Sequence, residues 1–353
     1  MRVTLSSIGE ELGVSHQVVS KTLNGGRSTV MVGKELEQRI RDTARRLGYR
    51  PSAAGRSLRS GKTMTIGILV GPPEHFLLAP ETLASLTQGL SDKGYTATLF
   101  STAGTSEADY LKSPLLRDHA VDALIISYVH EPTTQFVSSV SDLPMPVLWL
   151  NRNAPHNTLQ VDERGAGRKL AEHLLELGHR SIGFVDYSFG SLTEPLVAER
   201  LSGINEATEQ AGAFVSVIQK QLARAERSAH ARGWLSSGKT RPTAVIVNSL
   251  SSAQIICQTA LGMRMRLPED LAVASFDNGQ SHRANVPVIT SAIRPDADFG
   301  RAAGEMLFEL LDRVDGHIPS RSLAFGISVG ESTKTSNDLT PTTTTSHPNE
   351  THP

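Results

Sequence analysis

The chain has 353 residues, 39% hydrophobic and 20% charged, the profile of a soluble globular protein with room for two or three domains. No apolar run approaches the roughly 20 residues of a membrane span, and no apolar signal-peptide core opens the chain, so a cytoplasmic protein without membrane contact is expected. The net charge of −1 conceals a division: residues 1–62 carry twelve Lys/Arg against five Asp/Glu, a balance of +7 that leaves −8 for the rest. A basic N-terminal module on an acidic body is the electrostatic footprint of nucleic-acid binding.

At the N-terminus, Leu5, Ile8 and Leu12 recur at helical spacing behind Thr4, a candidate N-cap. Gly13 supplies a turn, Val14 points inward and Ser15 can cap a second helix. That helix buries Val18, Val19 and Leu23 in part and exposes His16, Gln17, Lys21 and Asn24. The pattern fits a helix-turn-helix, in which the second helix enters the DNA major groove; an ordinary helical hairpin fits the short stretch as well. A third helix over 34–47 aligns Leu36, Ile40, Ala44 and Leu47, stops at Gly48, and closes a three-helix head over 1–50. Residues 51–62 read as a linker. Pro51 can start a helix and Gly61 can end one, but the piece is short and Gly55 weakens it, so it becomes helical only with a partner.

From Thr65 the texture changes to short apolar strands alternating with amphipathic helices. Strands are predicted at 66–70, 97–100, 123–126 and 146–150, with helices near 80–94, 107–118 and 132–141 between them. The alternation then repeats: helices at 163–177, 194–211 and 251–261, and strands at 181–185, 215–218, 244–247 and 271–275. Cys257, the only cysteine, lies in the apolar run Ile255-Ile256-Cys257 and suits a buried structural thiol; its solitude excludes an internal disulfide framework and a cysteine-cluster metal site. A helix at 296–313 and one strand near 323–329 finish the body. The expected fold is therefore α/β: a helical head and hinge, then two similar doubly wound parallel-sheet subdomains. No apolar residue follows Leu339, so 334–353 reads as a disordered tail.

The order of these parts, and several motifs within them, resemble the lactose/galactose repressor (LacI/GalR) family of bacterial transcription regulators. The likeness runs from Val3 to Thr333. It rests on Gly13-Val14-Ser15 with Val19-Ser20-Lys21 and Leu23-Asn24, on Leu47-Gly48-Tyr49-Arg50-Pro51 with Arg56-Ser57-Leu58, and on Glu172-His173-Leu174 with Leu177-Gly178-His179-Arg180. Glu199-Arg200-Leu201 with Gly203, Leu267-Pro268-Glu269-Asp270 with Phe276-Asp277, and Glu331-Ser332-Thr333 continue it.

The resemblance implies a helix-turn-helix head and two subdomains of periplasmic-binding-protein type, the first spanning about 63–161 plus 291–322 and the second about 162–290 plus 323–333. It further implies a repressor whose paired heads read a palindromic double-stranded operator. His16, Gln17 and Lys21 would read base edges, Gln17 suiting adenine and Lys21 suiting guanine. The plainer role for His16 is an exposed side chain without a base contact. Thr4 and Ser15 would anchor phosphates, Ser15 otherwise serving only as a cap, and Asn24 would add a contact. Leu58 would wedge into the minor groove from a hinge helix; its other reading is as cover for the body. A homodimer formed by the body follows, and no leucine heptads support a coiled-coil tetramer. The resemblance also implies a small-molecule effector, a sugar or related metabolite, between the subdomains, coupled reciprocally to DNA affinity. Positions matching its pocket are Phe76, Ser127, Asn151, Arg200, Asn248 and Asp277. Arg200 and Asp277 suit vicinal hydroxyls or, for Arg200, a carboxylate; a surface ion pair and a turn cap are their plainer roles, and Phe76 could be core.

Departures stand beside the match. Gly9 replaces an alanine, Val18 a threonine, Gly33 a serine cap and Gly55 an alanine. Ser249 stands where an aspartate is usual after Asn248, and Gly330 where an arginine is common, each removing a charge from the pocket region. A periplasmic solute-binding protein would share the body but needs a signal peptide and no basic head. No enzyme is expected, since no P-loop, G-x-S-x-G or H-E-x-x-H occurs, and neither a cofactor nor a metal is implied.

Overall fold

A computed structural model of the chain describes residues 3–24, 32–49, 61–70, 78–101, 120–127, 133–152, 154–187, 195–277 and 287–334. The head consists of α1 (Leu5–Leu12), α2 (His16–Asn24) and α3 (Lys34–Arg46). Thr4 starts α1 in a reciprocal cap: its hydroxyl accepts from the Ser7 N–H at 3.2 Å, and its own N–H donates to Ser7 Oγ at 2.8 Å. Gly13 ends α1 in the left-handed region at φ 70°. Ile8, Val19, Ile40 and Ala44 form the buried centre, with Leu5, Leu12, Val14, Val18, Leu36 and Leu47 around it. Arg46 of α3 pairs with Glu11 of α1 across the bundle. At Gly9 a Cβ would lie 2.6 Å from the Val14 carbonyl, so glycine there lets the turn fold back against α1.

The body is built on two six-stranded sheets. The first takes β1 (Thr65–Val70), β2 (Thr96–Ser101), β3 (Ala123–Ser127), β4 (Val147–Leu150), β5 (Thr158–Val161) and β11 (Arg321–Leu323), in the order β2-β1-β3-β4-β5-β11, all parallel. The second takes β6 (Ser181–Asp186), β7 (Phe214–Gln219), β8 (Ala244–Val247), β9 (Ala272–Asp277), β10 (Thr290–Ile293) and β12 (Gly326–Ser328), in the order β7-β6-β8-β9-β10-β12, with only β12 antiparallel. Helices α4 (Pro80–Asp92), α5 (Thr134–Ser141) and α10 (Asp296–Leu311) cover the first sheet. Helices α6 (Glu163–Glu176), α7 (Pro195–Gln210), α8 (Arg224–Leu235) and α9 (Leu250–Gly262) cover the second. Both faces being covered explains the apolar run of the central strands: every residue of β3 and of β8 is buried. One apolar core links the sheets through Ile66, Leu86, Leu170, Phe184, Ile204 and Phe299.

Three differences from the sequence expectation matter. The single strand expected near 323–329 is two strands in different sheets, β11 and β12. Residues 291–293, expected with the first subdomain, pair with β9 in the second sheet, so the chain crosses back at Arg294-Pro295. Strands β5 and β10 and helix α8 were not anticipated; the strands are only four residues long, and α8 buries only Ala231 and Leu235. The helix expected at 107–118, most of the 51–62 linker and the 335–353 tail lie outside the described residues. Among the described residues, no helix is long and apolar enough to cross a membrane.

Candidate functional site

On the head, α2 leaves His16 and Gln17 exposed and Lys21 half-buried, while Val19 and Thr22 turn inward. Thr4 and Ser15 are exposed just before the first turns of α1 and α2, Thr4 already engaged as the cap. Asn24 is the last residue of α2; its side chain, like Leu58 and Phe76, lies outside the described residues.

In the body, strand ends bring polar groups to one cleft of about 400 Å³. Arg200, Asn248, Asp277, Phe276, Arg294 and Phe325 line it, with Ser249, Ser251 and Gln254 from the start of α9. Of the six positions expected from sequence, the cleft therefore unites Arg200, Asn248 and Asp277. Asn151, just after β4, is not a lining residue but its Oδ1 accepts from Arg294 Nη2 at 3.1 Å. Ser127 is buried at the end of β3 and does not line the cleft.

Arg200 is held from three sides. Its Nε donates to Glu163 Oε2 at 2.6 Å, its Nη1 donates to Asn248 Oδ1 at 2.8 Å and to the Asn248 carbonyl at 3.1 Å, and its guanidinium lies 4.2 Å from the Phe276 ring centre. Asn248 in turn donates from Nδ2 to Asp186 Oδ1 at 3.1 Å. The ion pair weighed for Arg200 exists, but inside the cleft: the Glu163 side chain is only 4% exposed and that of Arg200 only 16%. Asp277, at the end of β9, is buried.

Arg294 is the residue that sequence reasoning missed. It sits on the crossover between β10 and α10, 9% exposed, with Nε 3.1 Å from Asp296 Oδ1 and its guanidinium 5.0 Å from the Phe299 ring centre. Burial pulls its pKa below the ordinary arginine value, against the opposing pull of Asp296 and Glu163. The only sequence signal was its place immediately before Pro295. A second crossover contributes Phe325, whose carbonyl accepts from Lys169 Nζ at 2.9 Å. The cleft is thus walled by the second subdomain and by two of the strands' connecting segments, which is where a change of subdomain angle would be felt.

Two departures have local causes. A Cβ at Gly330 would lie 2.3 Å from the Val288 carbonyl, so the backbone packs where a side chain would have to start. Ser249 Oγ donates to Ser252 Oγ at 2.9 Å, a neutral contact at the start of α9. His179 bonds through Nδ1 to Thr243 Oγ1 at 3.0 Å beside the start of β6, a structural place. Cys257 is buried, its thiol pushed up to about 12 by burial. Among the described residues no group of three or more His, Cys, Asp or Glu could hold a metal.

Two parallel-sheet subdomains with a polar cleft at their strand ends define a periplasmic-binding-protein-like body, here preceded by a three-helix head. A family profile described as a periplasmic binding protein-like domain matches residues 171–333. The HTH-type transcriptional repressor PurR of Salmonella paratyphi A (strain ATCC 9150 / SARB42) is 28% identical over 319 residues, covering 88% of this chain and 90% of its own. Among solved structures, the lac repressor dimer bound to operator and the anti-inducer ONPF superposes with a TM-score of 0.80 at 18% identity, covering 94% of this chain and 99% of that one. The complex of the transcriptional regulator CelR with cellobiose gives 0.66 at 21% identity, covering 94% and 100%. These likenesses agree with the resemblance to the LacI/GalR family read from the sequence.

Proposed function

We propose that this protein is a cytoplasmic, sequence-specific DNA-binding repressor, acting as a homodimer on a palindromic operator and controlled by a small-molecule effector. The observation that carries the reading is the conjunction of a basic helix-turn-helix head with a cleft that two interdomain crossovers help to line. In support, the similar PurR proteins are named as repressors, and the lac repressor and CelR structures carry an operator with an anti-inducer and cellobiose respectively.

In this reading residues 1–50 bind DNA, 51–62 form the hinge, 63–333 dimerise and bind the effector, and 334–353 remain a tail. His16, Gln17 and Lys21 read bases, with Thr4, Ser15 and Asn24 in support. Leu58 wedges the minor groove. Arg200, Asn248 and Asp277 hold the effector, Asn151 acts through its bond to Arg294, and Phe76 and Ser127 are the remaining first-subdomain positions that the resemblance assigns. No catalysis is assigned to the cleft.

Selection of bound sequences from random DNA should recover a palindrome, because paired heads impose two-fold symmetry on the site. A non-palindromic or absent consensus removes the dimeric reader. Thermal-shift screening of sugars, nucleosides and sugar acids, followed by operator titration, checks the effector: at least one compound must change both stability and operator affinity.

A further inference from the structure

We propose that the cleft takes a small polyhydroxy carboxylic acid of hexose size, with its carboxylate held between Arg200 and Arg294. This rests on reading the cleft as the effector site and names the ligand class for it. Two guanidiniums line the same cavity of about 400 Å³, Arg294 being nine-tenths buried. Each has part of its donor set engaged: Arg200 through Nε and Nη1, and Arg294 through Nη2 to Asn151, with Nε beside Asp296. Arg200 Nη2 and Arg294 Nη1 make no protein hydrogen bond among the described residues. A carboxylate presents two oxygens to two such donors, the geometry in which charge-assisted bonds are strongest.

The acids around the cavity are accounted for. Glu163 is engaged by Arg200, Asp296 by Arg294, and Asp186, behind Asn248, by the Asn248 amide. The two arginines also repel one another: the Arg200 charge is among the influences that pull Arg294 below its ordinary value, and an anion between them relieves that repulsion. Asp277 is the one further acid lining the cavity, and together with Asn248, Ser249, Ser251 and Gln254 it offers acceptors and donors suited to hydroxyls. The site is thus divided into a carboxylate end and a hydroxyl end. Arg200 and Arg294 are the cations among the lining residues of the cleft.

The Arg294 contact ties ligand recognition to subdomain geometry. Arg294 follows β10 of the second sheet, yet its side chain bonds Asn151, which follows β4 of the first. A carboxylate on Arg294 therefore acts on a group that already spans the two subdomains.

Isothermal titration of the full-length protein with D-glucuronate, D-gluconate, D-glucose and methyl D-glucuronate tests the assignment. At least one acid should bind at least about tenfold more tightly than the neutral compounds, and Arg294→Gln and Arg294→Lys should each weaken it by about tenfold or more. The acid-against-ester comparison needs no variant, so it holds even if both substitutions impair folding. Equal affinity for acid and ester, undiminished acid binding by a folded Arg294→Gln, or no binding of either acid at millimolar concentration each overturns the carboxylate assignment. Binding of D-glucose alone, lost in Asp277→Asn, would overturn the assignment while leaving the effector cleft itself standing.

Discussion

Glu163, Arg200, Asn248 and Asp186 show how one charged side chain is made rigid: each arginine nitrogen that is bonded has a partner on a different element. The same logic applies further along α6, where His173 bonds through Nε2 to Thr333 Oγ1 at 2.8 Å, and Thr333 Oγ1 lies 2.6 Å from Thr290 Oγ1. Burial pulls the His173 pKa below 6.5, and nearby Lys334 and His179 add to this while Glu176 opposes it. The folded state therefore binds fewer protons than the unfolded chain in this range. The stability from neutral His173 is whole above the unfolded value of 6.5 and is lost as pH falls below it toward the depressed folded value. The melting temperature should fall from about pH 7.5 to about pH 5.5, and His173→Gln should flatten part of that fall. An unchanged slope in the variant would show that the burden lies on other groups.

Helix pairs carry the body, and glycines set how closely they approach. A Cβ at Gly203 of α7 would lie 1.9 Å from the Arg164 carbonyl of α6, and one at Gly167 of α6 would lie 2.1 Å from the Arg200 carbonyl of α7. The first subdomain repeats the device: a Cβ at Gly300 of α10 would meet the Thr82 carbonyl of α4 at 2.2 Å. Because Glu163 and Arg200 lie beside the α6–α7 crossing, its spacing also sets the cleft ion pair. Gly203→Ala must push backbone against backbone, and a loss of about 1–3 kcal/mol in denaturant unfolding is expected. Gly233 of α8 is the contrast, exposed and with open space where its Cβ would stand. Gly233→Ala should raise stability by about 0.5–1 kcal/mol through helix propensity. If both changes cost the same, close approach is not what Gly203 provides.

At the scale of the whole molecule, the chain passes three times between the sheets. The first and third passages meet where Asp162 N–H donates to the Leu323 carbonyl at 2.8 Å, and the second carries Arg294. In the proposed function these passages are the covalent route by which a ligand in the cleft biases the head. The proposed partner of that bias is the hinge, with Leu58 acting only when two copies meet on cognate DNA. Leu58→Ala should therefore weaken specific operator binding far more than nonspecific binding in titrations at fixed salt. Equal loss on both would assign Leu58 a role outside recognition.

Much of this was legible in the residues because it is written locally. Short apolar runs between amphipathic segments announce a parallel sheet with both faces covered, and the placement of Gly13 and Ile8, Val19, Ile40 and Ala44 announces the head. Arg200, Asn248 and Asp277 were legible through the family resemblance; Asn248 and Asp277 also end or follow predicted strands, where such folds gather ligands, whereas Arg200 reaches the cleft from within α7. Helix α8 was hidden because so little of it is buried, and β10 because four residues carry no usable period. Which sheet receives Ser291, that the closing strand is two, and that Arg294 turns into the cleft toward Asn151 were decided by tertiary structure alone. The physical reason is that strand pairing and buried charge depend on partners distant in the chain, Asn151 being 143 residues from Arg294. Local sequence determined the parts and their order; only the packed molecule determined which parts face one another.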